Sequence, residues 1–148
     1  MYAPGMRSTT LLKRTLLLTS LCGLLLAATP PLKAADRMAA GKWEFTMAGN
    51  GESRTFSQCM TPDQANEANG DTKTARAYAE KKAKGHCTIK SYDIQGNTVK
   101  YSLLCGDRTI DSTTTYHGDS SEGTLKTTTA DGKVDTRTVK ARRLGACS

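Results

Sequence analysis

The chain has little material for a hydrophobic core. From Asp36 to Ser148, Leu, Ile, Val and Phe together number only twelve, and the whole chain of 148 residues has one Trp and two Phe. Such a lean composition is typical of disordered chains when the net charge is high, but here the charge is small and strand patterns are clear. We therefore expect one folded domain with a thin core that needs covalent support.

Strong basicity is also missing from the part that we expect to fold. The formal net charge is +7, from 21 Lys and Arg against 14 Asp and Glu. Four of the cations lie within the first 34 residues and all of the acids follow them, so residues 35–148 have 17 cations against 14 acids, a net charge of +3. A charge of this size gives no reason to expect nucleic acid as a partner.

The sequence has no recognisable catalytic or metal-binding pattern. Its two histidines, His86 and His117, form no His-x₃-His pair, and there is no Cys-x-x-Cys, which argues against zinc. No pair of acids suggests glycosidase chemistry, and a reactive thiol would need a base and a reducing compartment. We predict no catalytic residue, no metal ligand and no cofactor, with His86 at a helix end and His117 in a solvated turn.

The first 34 residues have the order of a secretory signal peptide. Basic residues precede an apolar run from 15 to 28, and small residues follow it. The run is too short to span a bilayer comfortably, so we predict cleavage after Ala34 or Ala35, no remaining transmembrane anchor, and a periplasmic or secreted protein. Lipid attachment at Cys22 is disfavoured because Leu21 precedes it where a small residue is needed.

Alternating polarity predicts strands in the mature domain, residues 35–148. Trp43, Phe45 and Met47 alternate with polar residues, as in a half-buried strand. Further strands are predicted at 54–59, 87–94, 98–105, 109–116, 123–129 and 133–142. Asp131-Gly132 predicts a type I′ turn between the last two.

A helical insert is predicted at 62–84, between the second and third strands. Thr61 and Gln64 have the spacing of a capping box around Pro62. The alanine-rich stretch 72–84 predicts a second helix, which we expect to lie on the surface. The fold class is therefore mainly β: an antiparallel meander of about seven strands, partly or fully closed into a barrel-like sheet, with this insert.

The length of one hairpin loop bears on the cysteines. A three-residue loop at 95–97 would place Cys87 directly opposite Cys105, where a disulfide is sterically possible. A two-residue loop of Gly96 and Asn97 would put the two cysteines out of register.

An even number of mature cysteines predicts two disulfides in an exported chain. The residues alone leave three pairings open. We favour Cys87–Cys105 with Cys59–Cys147. The alternative, Cys59–Cys87 with Cys105–Cys147, would join both ends of the helical insert.

Several short motifs follow one another along the mature chain. They are Gly41-x-Trp43-Glu44, Gln58-Cys59-Met60-Thr61-Pro62-Asp63, Cys87, Gly96-Asn97-Thr98-Val99, Cys105, Tyr116-x-Gly118-Asp119, Gly123-Thr124-Leu125-Lys126 and Ala141-Arg142-Arg143-Leu144-Gly145-Ala146-Cys147. In this order they resemble the bacterial family called domain of unknown function 3617. The resemblance covers nearly all of the mature chain and implies a small exported β protein of the envelope, with four cysteines and no established activity. The insert before Cys87 is longer than the family suggests.

Two residues suggest where a ligand could lie. Gly-x-Trp43 near the start and Arg142 near the end are similar to small ligand-binding barrels, in which an arginine stacks on the tryptophan to close the floor. Because bulky apolar residues are few, we expect a filled or flattened sheet without a roomy cavity. The leading hypothesis is a non-catalytic envelope protein that binds an envelope component or another protein. The alternative is a small-ligand carrier with a pocket near Trp43. The oligomeric state stays open.

Overall fold

Seven antiparallel strands and two helices follow one another in the computed structural model, which describes residues 36–147. Their bounds are β1 Gly41–Gly49, β2 Glu52–Met60, α1 Pro62–Asn69, α2 Thr72–Ala83, β3 Thr88–Gln95, β4 Thr98–Cys105, β5 Arg108–Tyr116, β6 Ser120–Thr128 and β7 Val134–Gly145. The predicted signal peptide, with Cys22 and the cleavage site, lies outside the described residues. Neither helix is long and apolar enough to span a membrane.

The strands form one sheet in the order β2-β1-β7-β6-β5-β4-β3. Consecutive strands are neighbours except β2 and β3, and β7 returns to pair with β1 along residues Lys42 to Ala48. This confirms the mainly β meander and its insert between the second and third strands. Full closure is wrong, because β2 and β3 are the two ends of the strand order and do not pair with each other.

The tightly buried core is small and centred on Trp43. This indole is 1% exposed and is the largest fully buried side chain among residues 36–147. Its Nε1 donates a hydrogen bond to the carbonyl oxygen of Ala39 at 2.9 Å, which satisfies the one polar atom of the ring. Met38 and Ala141 complete the buried cluster, and Phe45 packs against it.

Both helices begin at the caps that their sequences encode. Thr61 accepts a hydrogen bond from the Gln64 backbone N–H and the Gln64 side chain accepts one from Thr61, so the predicted capping box is present. The Asp71 carboxylate caps α2 by accepting from the Thr74 N–H at 2.7 Å. Helix α2 fully buries only Ala75, and its other residues are exposed or half-buried, as in the predicted surface helix.

The β3–β4 hairpin has a two-residue turn. Gln95 pairs with Thr98, so the loop contains only Gly96 and Asn97. Gly96 has φ 59°, a conformation that suits glycine at the first central position of a hairpin turn. By the sequence argument, this loop should separate the two cysteines.

A β-bulge restores the register that the short turn removes. The β3–β4 ladder shifts by one residue between Ile89 and Ser91, because Lys90 is an extra residue on β3. Beyond the shift, Cys87 lies opposite Cys105, with 4.2 Å between their Cα atoms, and the two form a disulfide. The requirement for a three-residue loop was therefore wrong, although it led to the pairing that the structure has.

The turn between β6 and β7 also differs from its prediction. The Gly132 N–H donates to Thr129 O at 2.9 Å, and the Thr129 N–H donates to Lys133 O at 3.0 Å. Only Gly132 has a positive φ in this turn, 79°, whereas a type I′ turn needs two such residues in succession. The loop is therefore three residues long and ends in a left-handed glycine.

Gly123 is required by the close approach of two strands. A Cβ at this position would overlap the carbonyl oxygen of Thr113 and lie 2.8 Å from the Cα of Thr114. We expect Gly123→Ala to lower the free energy of unfolding by about 2 kcal/mol, because β5 and β6 would have to separate. Urea unfolding measures the loss. The neighbouring Glu122→Ala should change stability by less than about 0.5 kcal/mol, and equal losses in the two variants would refute the steric argument.

Candidate functional site

A cavity of about 620 Å³ lies between the inner face of the sheet and the helical insert. All seven strands contribute side chains to its wall, so the sheet curls around it. The apolar part of the wall includes Phe45, Met47, Met60, Ile89, Val99, Leu103, Leu125 and Val139. The open side, between β2 and β3, faces α2, which contributes Tyr78, Ala79 and Ala83.

The cavity overturns the expectation of a filled or flattened sheet. Inward positions of the central strands hold small side chains, such as Ser112 and Thr114 on β5 and Ser121 on β6. Side chains of this size cannot reach across a curled seven-stranded sheet. The scarcity of bulky residues, which we took as an argument against a cavity, is therefore its physical cause.

Trp43 supports the cavity without lining it. Phe45, Met60 and Tyr116 pack against the Trp43 cluster on one side and face the cavity on the other. The tryptophan predicted from the sequence as a ligand or floor residue therefore lies beneath the wall.

Arg142 is not the floor arginine. It lies opposite Glu44 on the outer face of the sheet, where its Nε is 2.8 Å from Glu44 Oε1 and its side chain is 70% exposed. Arg143 is the residue that pairs with Trp43 in the β1–β7 ladder. Its Nε donates to the Ala40 carbonyl oxygen at 2.7 Å.

Arg37 is a cavity residue that the sequence argument missed. It is only 6% exposed and it lines the cavity. Its Nη2 donates to the carbonyl oxygens of Ala68 at 2.8 Å and Gly70 at 2.7 Å, at the end of α1. These carbonyls have no partner within the helix, so a cation is favourable there. Within residues 36–147, no carboxylate lies within 4.0 Å of this guanidinium.

Three tyrosines of neighbouring strands face the same cavity. Tyr92 of β3 and Tyr101 of β4 are paired across the ladder, with ring centroids 6.2 Å apart and nearly parallel planes. Tyr116 of β5 follows. Burial raises the pKa of Tyr116 and of Tyr92, and the positive charge of Arg37 opposes the rise in both. The two hydroxyls therefore remain neutral hydrogen-bond donors at physiological pH.

The ionisable side chains that line the cavity, besides the tyrosines and the bonded Cys87, are all potential cations. They are Arg37, Lys82 and His86, and no Asp or Glu lines the cavity. The Lys82 ammonium lies 5.5 Å from the centre of the Tyr78 ring, within the range of a cation–π contact. A cavity wall that is partly positive and partly apolar favours a ligand that has both a negatively charged part and an apolar part.

The cysteines of the described residues are all in disulfides. Cys87–Cys105 closes the β3–β4 hairpin, and Cys59–Cys147 joins β2 to the segment after β7 with 5.7 Å between Cα atoms. This is the pairing that we favoured. Cys87 lies in the cavity wall, where its sulfur is bonded and cannot act as a nucleophile.

The two histidines lie in different surroundings. His86 follows α2 and lines the cavity, and its backbone N–H donates to Ala83 O. His117 follows β5, about half-exposed, with Nε2 4.0 Å from Glu122 Oε1. In the part of the chain that the structure describes, no three His, Cys, Asp or Glu side chains are grouped as a metal site.

The raised pKa of Tyr116 makes a prediction for alkaline solution. Above about pH 10 the tyrosines of the unfolded chain lose their protons, whereas the buried Tyr116 of the folded protein keeps its proton. The free energy of unfolding therefore falls as the pH rises. For each tyrosine that keeps its proton only in the folded state, the free energy of unfolding falls by about 1.4 kcal/mol per pH unit. Urea unfolding at stepped pH should give a shallower decline for Tyr116→Phe than for the wild type. Equal slopes would contradict the burial of this hydroxyl.

Comparisons with known proteins give one match. The model of a family described as "Protein of unknown function (DUF3617)" matches residues 38–147. The matched range contains the whole sheet, the insert and the four cysteines of the described residues, and it begins one residue after Arg37. No curated protein and no solved structure matches the chain with significance.

Proposed function

We propose that this chain, which belongs to the family described as "Protein of unknown function (DUF3617)", is an exported, non-catalytic carrier of a small, largely apolar molecule. The family description names no activity, so the proposal is argued from the cavity. The observation that supports this proposal is the cavity of about 620 Å³ behind α2. Ligand pockets are typically roughly 300–1,000 Å³ and mostly apolar, with a few convergent polar groups.

The stability that the domain loses by leaving the cavity unfilled supports the presence of a bound molecule. Protein interiors are close-packed, and voids larger than a water molecule are few. The domain buries few large side chains, with Trp43 the one fully buried, so filling the cavity with side chains would have stabilised it. A domain that leaves this space open forgoes stability that a bound molecule can restore.

The disulfides support export. Disulfides persist in oxidising compartments and are rare where thiols are kept reduced. Two lie in the described domain, behind a leader with the order of a signal peptide. A periplasmic or secreted carrier agrees with both features.

Two alanines of α2 provide the test of carriage. Ala79 lines the cavity, whereas Ala77 is exposed on the same helix. We expect saturable binding of N-phenyl-1-naphthylamine, a neutral apolar fluorophore. In Ala79→Phe the added ring occupies ligand space, so we expect affinity to fall about tenfold, which is about 1.4 kcal/mol.

The control is Ala77→Phe, which adds the same ring outside the cavity. It should bind the fluorophore as the wild type does, and both variants should retain the wild-type far-UV spectrum. Absence of saturable binding to the wild type would refute the proposal. An equal loss in both variants would place the fluorophore elsewhere.

A further inference from the structure

Among the strands, β3 to β6 contribute hydroxyl side chains to the cavity wall, whereas β1 and β7 contribute only apolar ones. On the β1 and β7 side, Phe45, Met47 and Val139 form an apolar wall. On the β3, β4 and β5 side, each strand contributes one tyrosine. Since the sheet order separates these two groups of strands, a ligand that spans the cavity meets only apolar side chains at β1 and β7. At β3 and β4 it meets hydroxyl donors together with apolar side chains such as Ile89 and Val99.

Arg37 has hydrogen-bonding capacity that α1 does not use. Both of its bonds to carbonyl oxygens come from Nη2. Its Nε and Nη1 make no side-chain hydrogen bond to another described residue, and neither is a sealed, unsatisfied atom. These two nitrogens are therefore accessible, in a residue that lines the cavity. A guanidinium presents its N–H groups as a fork that fits carboxylate and phosphate oxygens.

The charge of Arg37 also lacks a counter-ion within the described residues. A buried cation without a nearby anion is costly, and a partner charge lowers that cost. Lys82, which also lines the cavity, adds to the positive potential, and no lining carboxylate offsets it. An anion is therefore the complementary charge for this wall.

The tyrosines can complete the binding site for an anion. The hydroxyls of Tyr92 and Tyr116 make no hydrogen bond to another described residue, and both tyrosines line the same cavity as Arg37. As neutral donors they can bond anionic oxygens without adding charge. A tyrosine hydroxyl and an arginine fork together satisfy several oxygen lone pairs.

From these features we infer that the carried molecule is an amphiphile with one anionic head, held by Arg37 and the hydroxyls of Tyr92 and Tyr116, with its apolar body against Phe45, Met47 and Val139. This inference rests on the proposed function. A fatty carboxylate and a phosphate monoester share the required chemistry, and both are arms of the experiment.

The experiment displaces N-phenyl-1-naphthylamine from the protein with ligands that share one chain and differ in the head: dodecanoate, dodecyl phosphate, dodecanol and dodecyltrimethylammonium, each below its micelle concentration. We expect at least one of the two anions to bind about tenfold more tightly than dodecanol, and the ammonium to bind weakest. The tighter of the two anions identifies the head.

Arg37→Gln supplies the decisive variant. Its amide keeps a polar hydrogen-bond donor at this position but is shorter and has no charge. We expect the affinity for the preferred anion to fall about tenfold, to that of dodecanol, while the affinities for dodecanol and the fluorophore stay within about twofold. Arg142→Gln removes the same charge from the outer face and should keep the anion preference.

Two results would overturn the inference. If the wild type binds the fluorophore but shows no preference for either anion, the carrier proposal stands and the anionic head is refuted. If Arg37→Gln weakens the binding of all ligands equally, Arg37 acts only by holding the end of α1 in place. A wild type that fails to bind the fluorophore refutes the proposed function itself, before any head is compared.

Discussion

Replacing Cys59 and Cys147 together by Ala lowers the free energy of unfolding by about 4.5 kcal/mol in the chain-entropy model, because the bond closes a loop with a sequence separation of 88. This is a large share of the margin of a domain whose total stability is typically about 5–15 kcal/mol. Guanidinium unfolding followed by far-UV circular dichroism measures the loss. The midpoint should move sharply to lower denaturant.

The second disulfide is the matched control. Cys87 and Cys105 are separated by 18 residues, so their joint replacement by Ala should cost about 3 kcal/mol in the same model. The order of the two losses is the test. A larger loss for the hairpin pair would mean that the chain-entropy account fails here, and that local packing around Cys87 matters more than loop length.

The second large effect is expected at Trp43. Truncation of Trp43 to Ala should lower the free energy of unfolding by about 3–5 kcal/mol, because a fully buried ring is removed and its site cannot collapse completely. The loss should extend to the cavity, since Phe45, Met60 and Tyr116 pack against this cluster. Urea unfolding gives the first effect, and the affinity for N-phenyl-1-naphthylamine gives the second.

Phe56→Ala is the control for the loss of an aromatic ring. Phe56 lies on the edge strand β2 with 48% of its surface exposed, and it stacks on Phe45 with ring centroids 5.2 Å apart. We expect a loss of about 1 kcal/mol, in line with a partly exposed aromatic pair. Equal losses for Trp43→Ala and Phe56→Ala would show that the Trp43 cluster is not the core of the domain.

Strands and helix caps could be predicted because their signals are local. Alternation around Trp43, the capping box at Thr61 and glycines in turns act over a few residues. The bulge at Lys90 could not be predicted in this way. An exposed lysine fits a regular ladder and a bulge equally well, and the choice depends on how Cys87 meets the partner strand.

The composition predicted a filled or flattened sheet, because few bulky apolar residues suggested that there was no room for a cavity. Counting apolar residues gives how much material can be buried, but not how it is distributed over a curved surface. The small residues Ser112, Thr114 and Ser121 became informative only once the strands were ordered and their inner faces known. The sequence predicted Trp43 near a pocket, but placed the pocket's arginine at the wrong end of the chain.

Arg37 had no distinguishing sequence signal. It stands two or three residues past the predicted cleavage site, after Ala35 or Ala34, where a charged residue is typical of the solvated start of a mature chain. Its burial depends on the carbonyl oxygens that end α1, about thirty positions further along. Contacts of this kind arise from the tertiary arrangement and leave no periodic trace.

The two disulfides are nested: the bond between Cys59 and Cys147 encloses the bond between Cys87 and Cys105. A polypeptide that emerges N-terminus first exposes Cys59 and Cys87 together, before either native partner is present. Oxidation at that moment forms a non-native bond, and its correction requires thiol–disulfide exchange, which takes seconds to hours. The order of the cysteines along the chain therefore makes a non-native Cys59–Cys87 bond accessible before either native bond can form.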